Sequence, residues 1–141
     1  MAIVDRTAGV AGLAHIVLPE STDRVEQVGK FADTAVPELI AKLRKAGAFE
    51  RCFETAIAGG ARMFEMSGGL DIGSRNEAAV RAALAQARIP IKAAQTGGNT
   101  GRTVKISVGD LQVTVRSAGQ QPETLLEGRR PQTATSVGAA R

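Results

Sequence analysis

"GVAGLAHIVLPE", residues 9–20, sets the only histidine of the chain in the middle of an apolar run. Val10, Leu13, Ile16, Val17 and Leu18 crowd a short segment that Pro19 closes, so the run reads as a buried or half-buried strand. Just upstream, Ile3 and Val4 look like the back half of another strand, which a turn over Arg6–Gly9 pairs with Val10–Leu18. A strand cut at that point leaves edge amides unpaired and a groove open in the sheet. His15 then has two readings. It is a core imidazole whose nitrogens both find partners, which is the commoner fate of a lone histidine in such a run, or it is a catalytic base.

Moving outward, the pattern alternates between helix and strand. After a polar loop over residues 21–30, "FADTAVPELIAKLRKAGA" spaces Val36, Leu39, Ile40 and Leu43 as a helix does. Asp33 is its expected N-cap, Pro37 falls in or near the first turn, and Gly47 follows the last. The helix spans residues 33–46. "CFETAIA", residues 52–58, alternates Phe53, Thr55 and Ile57 as a strand entering the Gly59-Gly60 turn. Ser74 with Glu77 reads as a capping box opening a second helix over 75–87, with Val80, Ala83, Leu84 and Ala87 as its buried stripe and Pro90 beyond its end.

Ile89, Ile91 and Ala93 then alternate as a strand, a glycine-rich loop follows, and "TVKISV" and "LQVTVR" flank Gly109 and Asp110 as a hairpin. From Ser117 the chain turns to Gln, Thr, Ser, Gly, Ala and Pro, with Leu125, Leu126 and Val137 its only larger apolar residues. Residues 117–141 therefore read as an irregular or disordered tail.

At 141 residues the chain is about one domain, and it can bury a core without disulfides or metal. Cys52 is the single cysteine; with one histidine beside it, no zinc site can be assembled from soft ligands. No window approaches the length of a membrane span, which leaves a soluble, cytoplasmic protein as the expectation. The net charge of +4 comes from basic residues interspersed with acidic ones, and without Trp or Tyr there are few rings to stack bases, so nucleic acid is not an expected partner.

The remaining local motifs have modest readings taken singly. "TGGNTGR", residues 96–102, lacks the Gly-Lys-Ser/Thr ending of a phosphate loop and sits between two strands, so its glycines serve a tight connection. "AGGARMFEMSGG" likewise asks only for permissive backbone angles. Cys52 as a nucleophile would need His15 beside it in space, and nothing in the sequence brings the two together.

Taken in order, however, "AHIVLPES" at 14–21, "KFADTAV" at 30–36, "IAGGARMFE" at 57–65, "IGSRN" at 72–76 and "TGGNTGR" at 96–102 resemble the CheD family of chemoreceptor glutamine deamidases of bacterial chemotaxis. The resemblance implies residues 1–116 as a CheD-like deamidase domain: a layered α/β domain with a mixed sheet covered by two main helices. It implies a cysteine hydrolase that converts receptor glutamines to glutamate without cofactor or metal, and it makes His15 the catalytic histidine. Imidazole suits that work because it ordinarily titrates near neutrality. The implied partners are methyl-accepting chemoreceptors and a CheC-like phosphatase.

The sequence departs from the family in one respect. The family's nucleophilic cysteine lies on a Gly-Ser-Cys segment one strand before the histidine, a position just upstream of Met1, and the threonine preceding it falls there too. Cys52 does not align with it. Either the chain as numbered begins too late, the favoured explanation, or it is a shortened paralogue acting as a non-catalytic signalling module that binds chemoreceptors or a CheC-like phosphatase. In both cases residues 1–141 alone are expected to be inactive.

Overall fold

The segment Ala2–Asp5 is buried at every position, and its placement organises the molecule. The computed structural model describes residues 1–22, 27–63 and 71–129. Ala2–Asp5 forms β1, Val10–Leu13 β2, Phe53–Gly59 β3 and Ile91–Thr96 β4. They make one sheet of order β2-β1-β3-β4. β1 runs antiparallel to both neighbours, and β3 runs parallel to β4 through the crossover helix α2, Ile72–Gln86. A strand paired on both edges and covered on both faces must be apolar on both faces, which is why Ala-Ile-Val stands here without alternation.

The two faces of the sheet have different covers. Met1, Ile3, Phe53 and Ile57 meet α1, Ala32–Lys45, and α2, which contribute Val36, Ile40, Leu43, Val80 and Leu84. Ala2, Val4 and Ala56 meet Leu111, Val113 and Leu126 on the opposite side. There β5 (Arg102–Ile106), β6 (Val113–Ser117) and β7 (Glu123–Leu126) form a second sheet, antiparallel throughout. The layers are therefore helices, mixed sheet, antiparallel sheet. Ile3 and Leu84 are wholly enclosed; each such side chain contributes about 2–3 kcal/mol by leaving water.

The layered α/β architecture, the mixed sheet and its two covering helices agree with the sequence reading, as does the β1–β2 pairing. The β5–β6 hairpin of the second sheet agrees with it too, but its third strand does not follow from it. Within the stretch read as an irregular tail, β7 pairs with β6 and Leu126 is 2% exposed. Residues 130–141 lie outside the described residues, as do 64–70, which include the last six residues of "AGGARMFEMSGG".

Both helix starts differ from expectation. At α1 the N-cap is Phe31, which gives no side-chain cap. The Ala32 N–H donates instead to the Leu18 carbonyl at 2.9 Å, and Asp33 accepts from the Ser21 amide and hydroxyl at 3.0 and 2.7 Å. The incoming strand-like segment satisfies the donor that a cap would have served. At α2 the cap is Asp71, three residues before the expected Ser74. Asp71 accepts from the Ser74 amide at 3.1 Å and is held by the Arg62 guanidinium at 2.9 Å. Glu77, freed from the box, turns into the interior. The end of α1 is as read: Gly47 has φ +95° and its N–H donates to the Arg44 carbonyl at 3.0 Å.

Asp5 closes the β1–β2 turn from a fully enclosed position. One carboxylate oxygen accepts from the Thr7 and Ala8 amides at 2.9 and 3.0 Å, and the other from the Phe49 amide at 2.9 Å. Burial pushes its carboxyl up, but the hydrogen bonds from Phe49, Ala8 and Thr7 outweigh that and hold its pKa below the ordinary value.

Candidate active site

β2 ends at Leu13, earlier than the apolar run suggested. Ala14 keeps one more rung, since its amide donates to the Met1 carbonyl and the Met1 nitrogen donates to the Ala14 carbonyl, both at 2.9 Å. Beyond it the chain leaves the sheet and runs to Leu18, where the Val17 and Leu18 amides donate to the Lys30 carbonyl at 2.9 and 3.1 Å. His15 lies in this stretch. It is exposed, not a core residue.

His15 faces a cleft of about 470 Å³ at the end of the sheet where β1 begins and β3 finishes. One wall is Leu13–Ile16, the floor holds Met1 and Ile57–Gly60, and the far wall is built from α2 and the start of β5, with Asn76, Glu77 and Arg102. The apolar content of the run serves the layer beneath: Ala14 and Ile16 pack on the helical core while His15 projects between them.

Glycines set the cleft's shape. Gly60 has φ +62°, and a Cβ on Gly73 would lie 2.5 Å from the Gly60 carbonyl oxygen, so only glycine lets α2 approach this turn. The "TGGNTGR" loop is stitched to the same turn. Gly97 donates to the Gly59 carbonyl at 2.9 Å, and Arg102 Nη1 donates to the carbonyls of Gly97 and Gly59 at 2.8 and 3.3 Å. These glycines serve close backbone packing, in line with the tight-connection reading.

Polar groups line the α2 side. Glu77 accepts from the Thr96 hydroxyl and from Arg81 Nε, both at 2.8 Å. Burial raises its carboxyl, but these two donors and the Arg81 charge together hold it below its ordinary pKa, so it stays ionised in the cleft near neutral pH. Asn76 Nδ2 donates to the Val17 carbonyl at 2.8 Å, whereas its Oδ1 and Arg102 Nε are enclosed without a partner among the described residues.

Cys52 is not among the residues that line the cleft. It ends a short 3-10 turn, Glu50–Cys52, at the start of β3. At about 3.3 Å per residue it lies about 20 Å along the strand from the Gly59 end. The structure therefore separates His15 from Cys52. Asn76, Glu77 and Arg102 were not singled out as site residues by sequence reasoning. Two of them stand within "IGSRN" and "TGGNTGR", but no spacing rule says that these motifs meet in space. Among the described residues no cluster of His, Cys, Asp and Glu is arranged to hold a metal, and no helix is long and apolar enough to cross a membrane.

Comparison with known proteins bears on the same region. A sequence model of the family described as "CheD chemotactic sensory transduction" matches residues 17–117. The chain is 44% identical over 124 residues to a protein of Clostridium novyi named "Probable chemoreceptor glutamine deamidase CheD", covering 84% of this chain and 76% of that one. It is 43% identical over 115 residues to the "Chemoreceptor glutamine deamidase CheD" of Thermotoga maritima, covering 82% and 73%. A "Probable chemoreceptor glutamine deamidase CheD" of Methanococcus vannielii is 40% identical over 120 residues, covering 84% and 78%.

Proposed function

The chain belongs to the CheD family, and from that premise we propose that it hydrolyses glutamine side-chain amides of chemoreceptors to glutamate, with His15 as the proton-transfer group. The observation that carries the assignment of His15 is its place: exposed on the wall of a cleft, beside the end of a buried central strand whose line continues into that cleft.

The register supports one location for a nucleophile. Ala2 pairs with Leu13 on one side and with Ala56 on the other. Extending the β1–β3 register, a residue leading into Met1 would lie opposite Ala58, beside the point where the chain leaves the sheet toward His15. The Met1 nitrogen is enclosed as it donates to Ala14, and burial lowers the pKa of the amino group. We propose the nucleophilic cysteine on a segment leading into Met1.

The chemistry then follows. The thiolate attacks the carboxamide carbon and an oxyanion forms. His15 as imidazolium gives its proton to the nitrogen, which leaves as ammonia. The neutral imidazole takes a proton from water, the hydroxide attacks the thioester, and glutamate and the thiol are released. Leu13, 51% exposed on the cleft wall, and the exposed Val17 that follows the histidine segment support a protein substrate. The same rim is the proposed contact for a CheC-like phosphatase, and the cytoplasm is the compartment this reading requires.

The test is incubation of a receptor cytoplasmic fragment with the protein carrying its leading segment. A mass increase of about one dalton per modified glutamine supports the reading, and an unchanged peptide mass with folded protein rejects it.

A further inference from the structure

Between the Met1–Ala14 rung and the Leu18–Phe31 bridge, the stretch that carries His15 is held from across the cleft at one carbonyl. Asn76, on the N-terminal part of α2, donates through Nδ2 to the Val17 carbonyl at 2.8 Å, a contact between residues 59 apart in sequence. The Val17 amide is engaged as well, donating to the Lys30 carbonyl. Both backbone groups of Val17 are thus committed to different elements, and His15 lies between this anchor and the Met1–Ala14 rung.

The same end of α2 is fixed to the cleft floor. Gly73 packs so closely on the Gly60 carbonyl that a Cβ would lie 2.5 Å from its oxygen, and the Asp71 cap with its Arg62 partner secures the preceding residue of the turn. One rigid helical turn therefore touches the Gly59-Gly60 corner at Gly73 and the histidine segment at Asn76. We propose that this turn is a bracket that fixes the separation of the histidine wall from the cleft floor, and that Asn76 is a positioning residue for His15. The inference rests on the deamidase reading for its catalytic consequence. Misplacing a proton-transfer group by about 1 Å costs on the order of a hundredfold in rate, so a single hydrogen bond at this point has leverage on turnover.

The experiment uses Asn76→Leu, close in size but without the amide, in the protein carrying its leading segment. Two measurements are made: kcat and KM on a receptor cytoplasmic fragment, and amide hydrogen exchange. The expected result is a fall in kcat of about tenfold to a hundredfold with KM nearly unchanged, and faster exchange at Val17 and Leu18 with the α2 amides unaffected. Asn76→Gln, which keeps a side-chain amide donor, is expected to recover part of kcat. An unchanged kcat in folded Asn76→Leu, or a loss that only follows the folded fraction, overturns the proposal. Should the unsubstituted protein itself fail to deamidate, the deamidase reading falls, and exchange at Val17 and Leu18 still decides whether Asn76 holds the histidine segment.

Discussion

Met1 and Ala14 exchange both of their backbone hydrogen bonds, each N–H to the other's carbonyl at 2.9 Å. A mutually bonded pair of this kind is the tightest statement of register an antiparallel ladder makes. It leaves no freedom of alignment at the mouth of the cleft, and the position leading into Met1 is therefore defined by β1 itself.

The first prediction concerns the thiol. A polypeptide of residues 1–141 has Cys52 as its single cysteine, and that residue does not line the cleft. Its deamidation of a receptor fragment is expected to be undetectable by peptide mass, and addition of the native leading segment is expected to restore it. Cys52→Ala in the longer protein leaves turnover unchanged. Loss of activity on Cys52→Ala would reassign the nucleophile.

His15→Ala separates chemistry from packing. Because the ring is exposed, its removal is expected to shift the melting temperature little while deamidation falls by about three orders of magnitude or more. A lowered melting temperature with turnover per folded molecule intact would return His15 to a structural role.

Asp5 gives the protein an acid limb. Its folded pKa lies below the ordinary value, so its stabilisation is fully present above the ordinary carboxylate range and is lost as pH falls through the folded pKa. Asp5→Asn turns an amide donor or a weaker acceptor toward the Phe49 N–H and is expected to cost about 2 kcal/mol at neutral pH. The variant's denaturant midpoint is also expected to vary less with pH in acid than that of the parent. Equal pH dependence in the two proteins would assign the acid limb elsewhere.

Helix α2 provides a fourth test. Asp71 is held down to a pKa of about 2 by its hydrogen bonds to the Ser74 hydroxyl and amide and to Arg62, with the Arg62 charge adding to them. The cap thus works at neutral pH and fades only as the pH approaches about 2. Asp71→Ala is expected to lower the melting temperature more than Ser74→Ala, which removes a hydroxyl donor but keeps the capped amide. The reverse order in thermal melts would restore Ser74 as the cap.

Much of the helical layer could be read from spacing because Val36, Ile40 and Leu43 on α1, and Val80 and Leu84 on α2, face one core. Helix starts were less legible. Asp71-x-x-Ser74 and Ser74-x-x-Glu77 satisfy the same pattern of acceptor and third residue, and the outcome depends on Arg62 supporting the first from outside the helix. β7 escaped notice since only Leu126 in it is buried, and a register shift between Val113 and Thr114 spoils its alternation against β6. His15 was ambiguous because its neighbours are apolar for the sake of the layer beneath. Local composition reports what a segment packs on, not where one exposed side chain in it points. Asn76 and Arg102 meet the cleft through tertiary placement alone.

The burial of β1 on both faces has a consequence for biosynthesis. This strand is made long before its partners: Ala2 waits for Ala56 to pair with, and Val4 waits for Val113 and Leu126 to cover it. At about 5–20 residues per second, Leu126 follows Ala2 by about 6–25 s. A two-stranded hairpin is marginal by itself over that interval, so the nascent chain carries an apolar segment in need of shelter, and such distant contacts give the domain a high contact order and slow folding. Every residue lining the cleft has been made by Val104. A product terminated between Val104 and Leu126 would hold the cleft's full lining on a strand with one face still bare, a species suited to aggregation.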